Sequence, residues 1–210
     1  MSNMRGRLIT FEGIDGSGKT TQIRLLKSWL DSEGYDVVIL REPGGTPIGE
    51  QIRAILLSTI NVSMTDVTEL LLFEAARAQL VNEVIRPALE AGRFVICDRF
   101  IDSTVAYQGY GRGIDPDLVD RLTQLAIGDI VPDLTVWLDA PDATLRTRIS
   151  RREGDADRLD REQDGFRERT LNGFARQKAR YPERIHRIDT GRAKEETHRA
   201  IVDLVRRTLP

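Results

Sequence analysis

The chain has 210 residues, 40% of them hydrophobic, which is enough to bury the core of one α/β domain and short for two. A net charge of −2 removes the broad electrostatic case for nucleic acid, although a local basic patch can still hold an anionic small molecule. Met1-Ser2-Asn3-Met4-Arg5 lacks the apolar run of a signal peptide and no stretch is long enough to cross a bilayer, so the expected compartment is the cytoplasm.

Leu8-Ile9-Thr10-Phe11 is short, apolar and β-prone, and the spacing of Ile23, Leu26 and Leu30 predicts a helix over residues 21–30. Between them, Gly13-Ile14-Asp15-Gly16-Ser17-Gly18-Lys19-Thr20 fits G-x-x-x-x-G-K-[ST]. Small residues let successive backbone N–H groups curl around a phosphate while the helix start adds the positive end of its dipole. Lys19 then reaches the outer phosphates of a nucleotide, and Thr20 binds Mg²⁺. The spacing alone would arise in a random chain of this length roughly once in a hundred, but strand, glycine loop and helix in succession are what the chemistry requires.

Further apolar runs at residues 37–40, 94–97, 134–138 and 185–188 alternate with helical patterns, among them residues 65–90 and 116–127. This alternation predicts a five-stranded parallel sheet with helices on both faces, a three-layer α/β fold. Ligands of such sheets gather beyond the carboxyl ends of the strands. The chain places the phosphate loop, Arg41-Glu42-Pro43-Gly44-Gly45-Thr46, Asp98-Arg99, Asp139 and Asp189 there. Arg41 and Arg99 can form a second anion site facing a nucleotide's terminal phosphate, as a kinase needs. The guanine reader Asn-Lys-x-Asp of a nucleotide switch is missing. Cys97 stands alone in an apolar run, so no intrachain disulfide forms, and His186 and His198 are too far apart to seed a zinc cluster. Residues 150–163 are charged and almost devoid of core residues, which suits either a lid or a solvated connection.

Four stretches, Arg41-Glu42-Pro43-Gly44-Gly45-Thr46, Leu72-Phe73-Glu74-Ala75-Ala76-Arg77-Ala78-Gln79, Asp98-Arg99-Phe100 with Ser103, and Ala106-Tyr107-Gln108-Gly109, resemble motifs of bacterial thymidylate kinase in the same order. The resemblance runs from Leu8 to about Asp189. It implies a P-loop NTPase-type fold in a single nucleoside monophosphate kinase domain over residues 1–210, with a short lid at about 150–163. The implied activity is transfer of the ATP γ-phosphoryl group to dTMP, giving dTDP on the route to dTTP, with Mg²⁺ accompanying ATP. The implied assembly is a homodimer through helix faces at 65–90 and 116–127, with no nucleic-acid or membrane partner.

Carried over residue by residue, the resemblance puts Phe73 on the thymine ring and Arg77 at its edge; four apart on a helix, the two share a face. Arg99 and Arg41 become clamps on the acceptor phosphate, and Asp98 holds water or Mg²⁺, unless it only orients Arg99. Asp15 approaches the sugar 3′-hydroxyl, Tyr107 crowds the 2′ position, and Gln108 contacts base or sugar. Thr104 tunes the methyl pocket or sugar edge, and Phe100 stands where tyrosine or histidine is frequent. Gly16 and Ser17 supply no basic residue within the loop, so the transition-state charge falls to the lid: Arg151 or Arg152 beside the transferring group, with Arg158 closing over the phosphates. The alternatives are a kinase for dUMP, UMP or CMP, which needs a different base pocket, and a non-catalytic ATP-binding regulator.

Overall fold

The computed structural model describes residues 5–150, 158–159, 162 and 164–209. Strands β1 (Leu8–Glu12), β2 (Val37–Arg41), β3 (Phe94–Asp98), β4 (Leu134–Asp139) and β5 (Ile185–Asp189) form one parallel sheet in the order β2-β3-β1-β4-β5. Each strand runs one residue beyond its apolar stretch, and the added residue is charged: Glu12, Arg41, Asp98, Asp139 and Asp189. Ladder hydrogen bonds are made by the backbone, so pairing continues through a charged residue as readily as through an apolar one. The carboxyl edge of the sheet is therefore a row of ionisable groups.

In chain order the helices are α1 (Lys19–Ser32), α2 (Pro47–Leu57), α3 (Asp66–Leu80), α4 (Arg86–Glu90), α5 (Ile101–Thr104), α6 (Pro116–Ile127), α7 (Asp142–Ser150), α8 (Asp164–Arg180) and α9 (Lys194–Thr208). Two π-helical turns join neighbours, Val81–Ile85 between α3 and α4 and Val105–Gly111 running on from α5. Local chemistry starts several of them. Thr46 and Thr65 accept from the backbone N–H groups of Gly49 and Thr68 at the heads of α2 and α3, and Asp115 caps α6 ahead of Pro116.

The two faces of β1 show how the layers assemble. Ile9 and Phe11 point into a core with Leu26 of α1, Ile96, Val136 and Ile201 of α9. Leu8 points the other way, into a core with Leu80, Ile85, Val95 and Cys97 under α3 and α4. Each such fully buried side chain contributes about 1.5–3 kcal/mol. Thr10 and Glu12 share the face of Leu8 by strand alternation, and both are buried polar groups. The side chains of Thr10 and Thr135 satisfy each other at 2.8 Å.

Candidate active site

The donor side of the site begins where β1 ends. Gly13 has φ +132, and a Cβ there would lie 2.3 Å from the Leu138 carbonyl oxygen, so only glycine lets the loop pass β4. Gly18, at φ 93, precedes α1 with no side-chain cap, and no acidic residue occupies the first turn. The helix N–H groups therefore face the loop without a competing acceptor, which suits an anion. Lys19 is buried and donates from Nζ to the carbonyls of Gly13 (2.9 Å) and Ile14 (3.3 Å). Ser17 Oγ is buried with no partner among the described residues, an arrangement that a phosphate oxygen would relieve. Burial and the neighbouring Arg99 pull the Lys19 ammonium down to about 8, against the opposing pull of Asp15, Asp98 and Glu12.

The acceptor side is built around Arg99, the one non-glycine residue with positive φ (69°) among those described. A left-handed backbone costs a residue with a Cβ about 1–2 kcal/mol, so the turn is held from outside. Its N–H donates to the Phe11 carbonyl at 2.8 Å, which ties the turn to β1. The guanidinium reaches Asp15 in the phosphate loop (Nη2 to Oδ1, 3.2 Å) and the Ser103 hydroxyl (3.2 Å), and it lies over the Tyr107 ring at 5.1 Å. The arginine of the acceptor pole and the loop of the donor pole are thus in contact. Arg41 pairs in register with Asp98, next to Arg99; its guanidinium bonds Glu50 (2.9 Å) and the Pro43 carbonyl (3.1 Å). Burial pushes the Tyr107 phenol up to about 12, so its ring meets the site uncharged.

Phe73 is half-buried on α3, one turn before Arg77. Arg77 is more deeply placed than a helix-face charge should be, at 1% exposure. Its Nε and Nη2 grip Glu42 at 2.6–3.2 Å, Nη1 donates to Glu74 at 2.8 Å, and Nη2 also reaches Thr104 Oγ1 and the Phe100 carbonyl. Burial pulls the guanidinium down, but the two carboxylates more than offset this and hold it charged. Thr104, read from the sequence as part of the methyl pocket or sugar edge, is buried and accepts from Arg77. Gln108, read as a base or sugar contact, is also buried and donates its amide to Glu69 at 2.8 Å.

The lid residues divide. Arg151 and Arg152 lie outside the described residues. Arg158, read from the sequence as closing over the phosphates, donates from its backbone and side chain to the Leu57 and Leu56 carbonyls, and its guanidinium pairs with Glu69. Burial pushes the Glu69 carboxyl up, yet Arg112, Gln108 and Arg158 together hold it below the usual range. A buried carboxylate attracts whichever arginine can reach it, and this one already gathers Arg112 at 2.9 Å. The residue sequence reading missed is Arg148, on α7 one turn after buried Leu145. Its guanidinium bridges the phosphate loop at the Gly16 carbonyl (3.4 Å) to the Thr190 carbonyl (2.7 Å). The signal was available only as helical spacing from Leu145, which does not reveal what stands opposite.

Asp98 and Asp15 set two carboxylates beside Lys19, and the exposed Thr20 opens α1. No group of three or more His, Cys, Asp or Glu side chains able to hold a metal occurs among the described residues. Mg²⁺ needs no such cage, because one or two carboxylates plus nucleotide phosphates complete its oxygen shell, and the residues present fit that arrangement.

Residues 11–201 match the family model described as thymidylate kinase. The chain is 48% identical over 210 residues to the thymidylate kinase of Geobacter sulfurreducens, covering 98% of this chain and 99% of that one. It is 47% identical over 195 residues to the thymidylate kinase of Pelotomaculum thermopropionicum, covering 93% and 90% of the two chains. The crystal structure of thymidylate kinase from Ehrlichia chaffeensis is similar with a TM-score of 0.78 at 38% identity, covering 96% of this chain and 99% of that one.

Proposed function

The chain belongs to the thymidylate kinase family and transfers the γ-phosphoryl group of ATP to dTMP, and we propose the following division of labour within that reaction. The loop at residues 13–20 holds the ATP phosphates, with Lys19 leaving its two loop carbonyls for phosphate oxygens. Arg99 and Arg41 hold the acceptor phosphate, whose oxygen is already an anion and needs little help from a general base. The protein's task is to align two anions and offset their repulsion. The observation that carries this reading is the 3.2 Å contact between Arg99 and Asp15, which sets the acceptor clamp against the donor loop.

Thymine stacks on Phe73 and meets Arg77 at its edge, Asp15 receives the 3′-hydroxyl, and Tyr107 closes the 2′ side. Thr104 and Gln108 act indirectly, one by orienting Arg77 and the other through Glu69. Asp98 and Thr20 hold Mg²⁺, which when bound neutralises charge on the transferring phosphates. Arg151 or Arg152 supplies further positive charge, and Arg148 with Thr190 borders the adenine. Val67 and Leu71 on α3, and Leu118 and Leu125 on α6, leave apolar faces exposed, which supports a homodimer through these helices. No helix among the described residues is long and apolar enough to cross a membrane, and the proposed compartment is the cytoplasm.

A coupled assay comparing dTMP, dUMP, UMP and CMP as acceptors tests the base pocket. Turnover of dTMP well above the others is expected, and equal or better turnover of CMP would overturn the assignment of Phe73 and Arg77. Sedimentation at micromolar concentration tests the dimer, with a monomer counting against it.

A further inference from the structure

One fully buried charged side chain in the site has no part in the scheme above. Glu12 ends β1, immediately before the phosphate loop, and is 0% exposed. Its side chain lies on the α5 face of the sheet. Oε1 accepts from the Phe100 N–H at 2.8 Å and the Ser103 N–H at 3.3 Å, while Oε2 accepts from the Ser103 hydroxyl. Phe100 opens the helical segment that runs through α5 to Gly111, and it has no side-chain cap of its own. The carboxylate reaching across from β1 takes that role.

Three observations connect this carboxylate to Arg99. Phe100 and Ser103 follow directly on the Arg99 turn, whose left-handed backbone needs outside support. The Ser103 hydroxyl accepts from Arg99 Nη1 while donating to Glu12, which makes it a link between the two. Backbone bonding repeats the tie, since the Arg99 N–H meets the carbonyl of Phe11, next to Glu12 in sequence. The neighbouring carboxylate, Asp102, is matched by Arg184 at 2.6 and 2.7 Å and cannot take over the position.

We propose that Glu12 is a positioning residue for phosphoryl transfer: through Ser103 and the Phe100 N–H it holds the Arg99 guanidinium at a set distance from the donor phosphate loop. One strand then carries both halves of the geometry, with the loop continuing its backbone and the acceptor arginine hanging from its last side chain. Burial, and then the nearby Asp102, push the Glu12 carboxyl up, against the pull of Ser103, Arg99 and Phe100. A plain apolar side chain would carry no such burden, so packing does not account for a carboxyl here.

The inference rests on Arg99 as acceptor clamp, so the experiment carries a control for that reading. In E12A, kcat should fall roughly a hundredfold, with the KM values for ATP and dTMP each within about threefold of wild type, as expected for misplacement rather than lost binding. In E12Q, whose amide oxygen still accepts from the Phe100 N–H, kcat should return to within about tenfold of wild type. The double variant E12A/R99A should be no slower than R99A, because Glu12 acts through Arg99. A wild-type kcat in E12A, a loss carried by KM, an E12Q no better than E12A, or a further loss on top of R99A would each overturn the proposal. Should E12A fail to fold, S103A removes the middle link and should lose about tenfold in kcat; wild-type turnover there overturns it as well. A fully active R99A would instead sink the assignment of Arg99 itself.

Discussion

The proposed donor site draws on eight consecutive residues, 13–20, whereas the proposed acceptor site gathers Arg41, Phe73, Arg77, Arg99 and Tyr107 from separate parts of the chain. The proposed donor side relies on backbone N–H groups and one lysine, all placed by a turn that glycines permit. The proposed acceptor side relies on side chains, two of which are held by a partner remote in sequence: Arg77 by Glu42 and Arg99 by Asp15. A ligand site made of backbone can be disabled without unfolding anything. One that relies on a buried ion pair cannot, because Arg77, proposed to meet the base, also satisfies the charge of Glu42 and Glu74.

That contrast predicts where mutations are felt. The largest effect is expected for Arg77→Ala, which strands the carboxylates of Glu42 and Glu74 in the core and should cost about 3–5 kcal/mol of stability in denaturant unfolding. Its dTMP KM should rise as well, and an unchanged unfolding midpoint would erase the distinction between the two poles. Lys19→Met should do the reverse, lowering kcat about 10²–10³-fold while leaving the unfolding midpoint where it was or higher, since a desolvated ammonium is removed. Loss of stability alongside loss of rate would mean the donor loop is as interdependent as the acceptor side.

Phe73→Ala should fall between them, raising the dTMP KM by the roughly 1–3 kcal/mol of one base stack, with the ATP KM and the unfolding midpoint little changed because the ring is only half-buried. The smallest effect is a titration. With Lys19 pulled down to about 8, kcat/KM for ATP should fall about tenfold per unit above that pH, and Lys19→Met should lack this limb. Stability moves the other way in the same range. Between about 8 and the ordinary 10.5 the folded chain binds fewer protons at this lysine than the unfolded chain, so Lys19 contributes a gain in stability with rising pH. A flat activity profile through pH 9 would show the lysine titrating higher.

How far the site could be read from the sequence follows the same division. The five apolar runs located all five strands, and each was short by its last, charged residue. That residue matters most at Glu12, where stopping at Phe11 hid a buried carboxylate behind a phosphate-loop motif that does not require it. Arg77 read as a helix-surface partner for a base; the structure buries it between two glutamates, one 35 positions away. Thr104 and Gln108 read as substrate contacts, and their bonds to Arg77 and Glu69 were not legible along the chain. Arg158 read as closing over phosphates, and its pairing with Glu69 left no mark in the sequence.

The sequence by itself determined the parallel α/β layering and the phosphate loop, because hydrophobic periodicity and glycine-dependent turns are local and leave a mark at fixed spacing; the reaction class came from the resemblance of four ordered motifs to those of thymidylate kinase. Only the tertiary structure decided which charges meet. Partners such as Glu12 with Ser103, Arg77 with Glu42, Arg148 with Gly16 and Arg158 with Glu69 are chosen by the order of strands and the packing of helices. A buried charge must find an opposite one wherever the fold brings it, and no pattern along the chain records that choice.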